Sequence, residues 1–542
     1  MKNYKLLDIG LILIICLATY FITKPLGNFP INDDFSFIDT VKRWYFEGKF
    51  IPHPVTSMTL FSQAWLGYVF SLIFGFSIEN LRILVAILSC TALIFTYLTA
   101  IELKINRIIS LFICFLLFFN PIYLLYSYSF MTDVPFFCFS MISIYFYIKN
   151  FKEFHLTYWL IAIVFSIIAI LTRQVGMAIM LAFGITYLVK NKITAKNIFI
   201  ALFPFIIGIS TYMLYKKWLS INNITPEMFN SQGEIHAEGY LIVLHYVKNL
   251  ISNFNLLLVY LALFTSPILI IYGQTIISAF YKKIIVFSVI ISTLSVVAVC
   301  LIYNDMLPVN KNVFTNKNIL GPFDDDTMYS LPNNHMLTLI STIFAVLGLF
   351  LLILFSFNYL RNFISNLFNK KKISYESIFF ILLIIFYQLP ILLFTFYERY
   401  VFISVISVSF IISIFYKNNI SNLIANFRFK ISLLLLLALS INSTINVKDY
   451  MIYSKTRWDI MTDLLKNKVE IDQISGGYTY FGTYYNTHFK EYLQSERDSK
   501  YAKNLKYFIQ IIPNKEFKII SEHKFETTYK IGNNTFYVCK KE

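Results

Sequence analysis

Charge is scarce in this 542-residue chain: Asp, Glu, Lys and Arg together make up 14% of it, against roughly 25% in soluble domains. Apolar residues make up 57%. That balance excludes an ordinary soluble domain and indicates a polytopic α-helical membrane protein. Acidic residues are the scarcer sign, 30 against 46 basic, for a formal net charge of +16. The excess is no signature of nucleic-acid binding, because Lys and Arg gather in short loops between apolar runs, where they set topology. Cysteine is sparse too, and without paired spacing. Cys16, Cys90, Cys114, Cys138 and Cys300 lie in apolar runs and Cys539 near the C-terminus, so neither a disulfide framework nor a zinc site is indicated. A Gly-rich phosphate loop, a Ser/His/Asp order and a His-x-x-His pair are all missing. So are repeats, coiled-coil heptads and low-complexity linkers.

Long apolar runs are what the chain has instead. A membrane helix takes about 20 mostly apolar residues, and candidates fall at 6–24, 82–103, 108–126, 135–149, 157–172, 174–189, 197–215, 250–272, 284–303, 336–358, 377–396, 401–416 and 430–446. Lys2 and Lys5 precede the first run, and no small-residue cleavage site follows it. It is expected to be an uncleaved span with its N-terminus in the cytoplasm. The stretch 58–77 is ambiguous, and positive charge decides it. Left out of the count, it puts Lys104/Arg107, Lys149/Lys152, Lys190/Lys192/Lys196, Lys282/Lys283, Arg361 with Lys370–Lys372, and Lys417/Arg428/Lys430 all inside. Counted as a span, it moves every one of those clusters outside. The stretch is therefore expected to lie along the outer face. That leaves about thirteen spans, a transmembrane region over 1–446 with a first outer loop at 25–81, and an extracytoplasmic α/β domain over 447–542.

This topology gathers the unusual residues on one side. "PINDDFSF" sets Asp33 and Asp34 where the chain leaves the first span, a costly place for two adjacent acids unless they face water or a partner. The following "FSFIDTVKRWYFEGKF" alternates apolar and charged residues at helical spacing, an amphipathic helix lying in the interface. "YSFMTDVPFF" places Asp133 at the top of a turn, either as a helix N-cap or as a site residue. "ILTRQVG" brings Arg173 to the same face, and "FYERYVFI" brings Glu398 and Arg399. Each arginine alone reads as well as a head-group contact or an ion pair. Together, carboxylates and arginines on one face of a lipid-bounded cavity suit transfer from a lipid-phosphate donor. A carboxylate removes the proton of an acceptor hydroxyl, and guanidinium forks hold the departing phosphate. The inner loops lack acidic pairs, which argues against a cytoplasmic sugar-nucleotide site.

The order "NDDFSF", "SFMTDVPF", "LTRQVG", "YERYVF" resembles the multi-spanning GT-C glycosyltransferases, and among them the protein O-mannosyltransferases and aminoarabinose transferases of glycosyltransferase family 39. The resemblance covers residues 1–190; beyond them, to about 420, it rests on helix count and the Arg399 motif. It implies that Asp33 is the general base and Asp34 its companion, orienting neighbours or contacting the acceptor. It matches Thr132 and Asp133 to the family's Thr-Asp turn, and Arg82, Arg173 and Arg399 to basic residues near the donor phosphate. Asp133, His53 and Glu398 would shape the site. One departure stands out: where relatives carry an acid or Lys beside Pro-Pro, this chain has "PHPV". His53 could bind a divalent cation, contact phosphate or sit in a turn, and no metal or other cofactor is assigned. The implied reaction is inverting, from a polyprenyl-phosphate sugar to a lipid, glycan or protein acceptor, in a bacterial inner membrane and among its lipids.

The acidic run Asp324–Asp326 and the loop residues Glu227, Glu234, His236 and Glu238 read as solvated loop charges. Past 447 an amphipathic helix (452–468), a Gly476-Gly477 turn and strands in "YFIQIIP", "FKIIS" and "TFYVCKK" compose the tail. It would either cover the mouth of the site, bind acceptor or pack for stability. A flippase of lipid-linked sugars and a glycan polymerase or ligase are the competing functions. Transport calls for charges deep within spans and often for internal symmetry, and neither is visible here.

Overall fold

The structure, a computed structural model, describes residues 2–231, 240–309, 313–315, 334–369, 374–394, 396–417, 426–484, 504–529 and 533–541. Asp324–Asp326 and Glu234, His236 and Glu238 lie outside them. The fold is a bundle of apolar helices carrying a small sheet at its C-terminal end.

Its helices in chain order are α1 (Lys2–Thr23), α2 (Asp34–Glu47), α3 (Phe61–Phe74), α4 (Ile78–Glu102), α5 (Arg107–Phe118), α6 (Pro121–Tyr126), α7 (Asp133–Lys152), α8 (Leu156–Ile170), α9 (Met177–Lys190) and α10 (Ala195–Ile221). There follow α11 (Glu227–Ser231), α12 (Tyr240–Ile277), α13 (Lys282–Tyr303), α14 (His335–Phe368), α15 (Tyr375–Leu393), α16 (Phe402–Phe415), α17 (Phe427–Lys466) and α18 (Gly477–Tyr484). Each apolar run expected to span coincides with helix. Ten helices among the described residues are long and apolar enough to cross a membrane, and the chain is a multi-pass membrane protein. The helices at 107–118, 156–170 and 174–190 are shorter. The run 108–126 breaks into α5 and α6 because Pro121 lacks an N–H, and the Asn120 side chain caps the new start by accepting from Ile122 and Tyr123.

Helices α7 and α16 are buried almost all round, the pattern of core helices rather than lipid-facing ones. Glycines let other helices close in. A Cβ on Gly184 would stand 2.5 Å from the Ala201 carbonyl oxygen, so α9 and α10 touch backbone to backbone there.

The first loop is built, not slack. Helix α2 packs on α3, with Trp44 stacked on Tyr68 at 5.0 Å and 9° between rings. The segment entering α3 is stitched to the turn after α8: Leu60 N–H donates to the Thr172 carbonyl, Ser62 N–H to that of Leu171, and Thr59 Oγ1 to that of Ile170. At 14 residues α3 is shorter than the ~20 a crossing needs.

Helix α17 is a single rod of 40 residues. The last expected span and the amphipathic helix expected at 452–468 are one element. Its apolar first half belongs to the bundle. Its second half presents Tyr453, Ile460 and Met461 to the sheet, where they pack with Ile509, Phe525, Phe536 and Val538. The sheet has the order β1-β2-β4-β3, with β1 at Ile474–Ser475, β2 at Tyr507–Gln510, β3 at Lys518–Lys524 and β4 at Thr535–Lys540. Strands β1 and β2 run parallel and the other pairs antiparallel. Asp449, in the middle of α17, accepts from the backbone N–H groups of Thr528 and Tyr529, tying the sheet's loop to the rod.

Candidate active site

Asn32 takes a left-handed φ of 55°, turning the chain into α2, where Asp33 and Asp34 stand on consecutive helical positions and so point about 100° apart. Asp34 points inward and is fully buried. Its Oδ1 accepts from Ile31 N–H at 2.6 Å and its Oδ2 from Phe130 N–H at 3.2 Å, so one carboxyl joins the first loop to the turn before α7. Burial, opposed by Arg82 and these two donors, pushes its pKa up to about 7.

Asp33 points the other way, with 27% of its side chain exposed. Its Oδ2 accepts from Arg399 Nη2 at 3.1 Å and its Oδ1 from the Tyr478 hydroxyl at 2.7 Å. Arg399 stands in a short 3₁₀ turn (Glu398–Val401) ahead of α16, only 5% exposed. Among the described residues its Nε and Nη1 have no hydrogen-bond partner, although they are buried. The guanidinium carbon lies 5.0 Å from the centroid of Tyr397 and 5.4 Å from that of Tyr400. Arg173 lies 4.6 Å from the centroid of the same Tyr400 ring, and its Nη1 donates to Asp133 Oδ1 at 2.5 Å. Among the described residues Asp133 Oδ2 is buried without a partner. Asp33, Arg399, Tyr400, Arg173 and Asp133 thus form one cluster of acids, cations and an aromatic ring. Two guanidinium nitrogens and one carboxylate oxygen in it are unsatisfied, and buried groups of this kind ordinarily have partners.

Glu398 turns away from Arg399. Its Oε1 accepts from Val313 and Phe314 N–H at 3.0 and 3.2 Å, pinning that piece of the long loop after α13 beside the site.

Arg82 stands against the exit of α1. Its guanidinium lies 4.0 Å over the Phe29 ring and donates to the carbonyls of Pro25, Gly27 and Phe29. Both terminal nitrogens donate to main chain, so Arg82 holds the exit of α1 in shape. His53 is also internal. Its backbone N–H donates to Thr40 Oγ1, its Nδ1 accepts from Val55 N–H, and its ring meets Phe35 edge-on at 5.5 Å. Its carbonyl accepts from Thr56 N–H, the turn reading of this residue. Among the described residues no three His, Cys, Asp or Glu side chains stand close enough together to hold a metal ion.

Sequence reasoning missed Tyr397, Tyr400 and Tyr478. The first two flank the charged pair inside "FYERYVF" and were legible as aromatic walls for the arginine. Tyr478 gave no signal beyond the glycine pair before it.

Comparison with known proteins follows this geometry. Residues 59–215 match the family model described as dolichyl-phosphate-mannose-protein mannosyltransferase. The matched stretch contains Arg82, Asp133 and Arg173. No curated protein matches the chain. Among solved structures it is similar to ArnT from Cupriavidus metallidurans in the apo state, at 10% identity and a TM-score of 0.41, over 98% of this chain and 97% of that one. The same protein bound to undecaprenyl phosphate aligns over the same shares at 10% identity, with a TM-score of 0.37.

Proposed function

We propose that the chain transfers a sugar from a polyprenyl-phosphate donor to an acceptor hydroxyl at the extracytoplasmic face, with Asp33 as general base. The observation that carries this is the Asp33–Arg399 pair: a partly exposed carboxylate bonded to a buried guanidinium that keeps two donors unspent. Asp33 takes the acceptor's proton as the acceptor oxygen bonds to the anomeric carbon. The bond from that carbon to the phosphate oxygen breaks, and its electrons leave with the polyprenyl phosphate. Arg399 Nε and Nη1 receive the phosphate's growing charge, as donors fixed in advance do in a low-dielectric site. Arg173, held by Asp133, adds a second positive charge across Tyr400. Direct displacement inverts the anomeric centre.

The test is transfer from a radiolabelled polyprenyl-phosphate hexose in membranes carrying equal amounts of wild type or Asp33→Asn. Transfer by wild type alone supports the assignment, and the labelled product names the acceptor. Equal transfer by both would remove Asp33 from the reaction. No transfer by either would favour a flippase, which moves the donor without consuming it.

A further inference from the structure

Helix α18 comes from the C-terminal segment, yet it reaches the first loop. Gly477 takes a φ of 75°, a left-handed turn that starts the helix and sends Tyr478 toward the bundle. The Tyr478 ring meets Phe35 edge-on at 5.5 Å, and Phe35 in turn meets His53. Phe481 is buried against Phe35 as well. Gly482 completes the fit, since a Cβ there would stand 2.2 Å from the Phe35 ring. This contact fixes where the Tyr478 hydroxyl goes, and it goes to Asp33 Oδ1.

A general base must sit about 2.6–3.2 Å from the oxygen whose proton it takes. The Tyr478 oxygen already occupies that shell at 2.7 Å, on the carboxylate oxygen that Arg399 leaves alone. A phenol donating O–H to a carboxylate has the chemistry of an acceptor alcohol in its ground state. It lacks only a position in line with an anomeric carbon.

We propose that Tyr478 stands in for the acceptor: its hydroxyl holds on Asp33 Oδ1 the place that the acceptor hydroxyl takes, so that water does not take it until an acceptor displaces the phenol. This rests on Asp33 being the base of the proposed transfer. It makes Tyr478 a specificity-determining residue. Water is the smallest competing acceptor, and an enzyme that stores an activated lipid-linked sugar must refuse it. A group able to evict Tyr478 must bring its own hydroxyl together with enough surface to displace a ring packed on Phe35. Sugar and peptide alcohols do this, and water does not. Where the guard fails, water attacks the anomeric carbon and Asp33 takes one of its protons. The carbon–oxygen bond to phosphate breaks, giving free sugar and polyprenyl phosphate.

The experiment measures release of free hexose from polyprenyl-phosphate [14C]hexose by the purified full-length protein in nanodiscs, with no acceptor added. Tyr478→Phe keeps the ring and deletes only the hydroxyl. Hydrolysis is expected to rise roughly two- to tenfold over wild type, the equilibrium weight of one net hydrogen bond. Gly482→Ala, which pushes α18 off Phe35 without touching the hydroxyl, should move hydrolysis the same way, and Asp33→Asn on top of either should abolish it. Amide hydrogen exchange over 477–484 reads the contact without any turnover and should quicken in Tyr478→Phe and in Asp33→Ala. Hydrolysis that falls or stays level in Tyr478→Phe, while Asp33-dependent transfer in membranes persists, would overturn the stand-in and leave the glycosyltransferase reading intact. A donor untouched by every form in both assays would overturn that reading, and this inference with it.

Discussion

Asp33 and Asp34 are neighbours in sequence and have opposite surroundings, because consecutive positions at a helix start point about 100° apart, one toward the core and one toward solvent. Asp34 is a strut. Replacing it with Asn sets an amide NH2 against one of two backbone N–H groups, a buried mismatch that costs roughly 1–3 kcal/mol; thermal unfolding of purified Asp34→Asn in detergent checks it. The strut also titrates. Its folded pKa, raised from 3.8 to about 7, means that the folded state holds the proton more tightly than the unfolded one. The stability it contributes is full below pH 4 or so and is lost as the pH rises through about 7. Unfolding temperatures of wild type should show that fall, and those of Asp34→Asn should lack it. Arg399 is the counterpart on the side of the proposed transfer. Lys keeps a charge there but not the fork, so Arg399→Lys should lower kcat for transfer by roughly 10²-fold or more, the scale of one lost transition-state donor. At this scale the sequence spoke clearly where a residue's type was itself unusual, as with an acid pair at a lipid edge. It could not show the surroundings of Arg82, because only the path of residues 25–29 brings three carbonyls to its guanidinium.

Among the elements, apolar length and loop charge located the helices, and composition could not say how closely they pack. Gly348 is a case in point. A Cβ there would stand 2.2 Å from the Ala262 carbonyl oxygen, so α12 and α14 cross in backbone contact. Gly348→Val should force them apart at a cost of about 1–3 kcal/mol, seen as a lower melting temperature and a broader size-exclusion peak. Nothing in the sequence marked this glycine, because the demand comes from a partner helix far along the chain. The division of α17 into a span and a separate amphipathic helix has a related origin. The apolar pattern changes near 447 when the rod leaves one core and joins another, while its backbone runs on unbroken. Strands β2, β3 and β4 were legible because β-branched and aromatic residues concentrate in them; the two-residue β1 was not, nor was the order, since β4 slips between β2 and β3.

For the whole molecule, the site is assembled from distant chain. Asp33 meets Arg399 across 366 residues and Tyr478 across 445. No local pattern announces such pairings. They exist because the bundle brings the start of α2 beside the turn before α16, and because the chain beyond α17 carries α18 back to Asp33. The rod is therefore as much a part of the site as its side chains. Inserting two alanines between Asn446 and Val447 turns everything beyond by about 200° and lifts it by about 3 Å. That should break the Asp449 contacts, carry Tyr478 away from Asp33 and make 477–484 cleavable by added protease, while the bundle itself stays folded.

The same rod has a further consequence. Its 40 residues span about 60 Å, roughly twice the hydrocarbon thickness of a bilayer. One end is packed in the bundle, against α1, α6 and α12, and the other in the sheet whose neighbouring helix meets Asp33. A stiff bar held this way ties the seat of the bundle in the bilayer to the height of the sheet above it. In vesicles of graded acyl-chain length, a mismatched membrane tilts or strains the bundle as a whole. On the proposed reading of Tyr478, the lipid around the protein then becomes a setting on the hydroxyl that Asp33 holds.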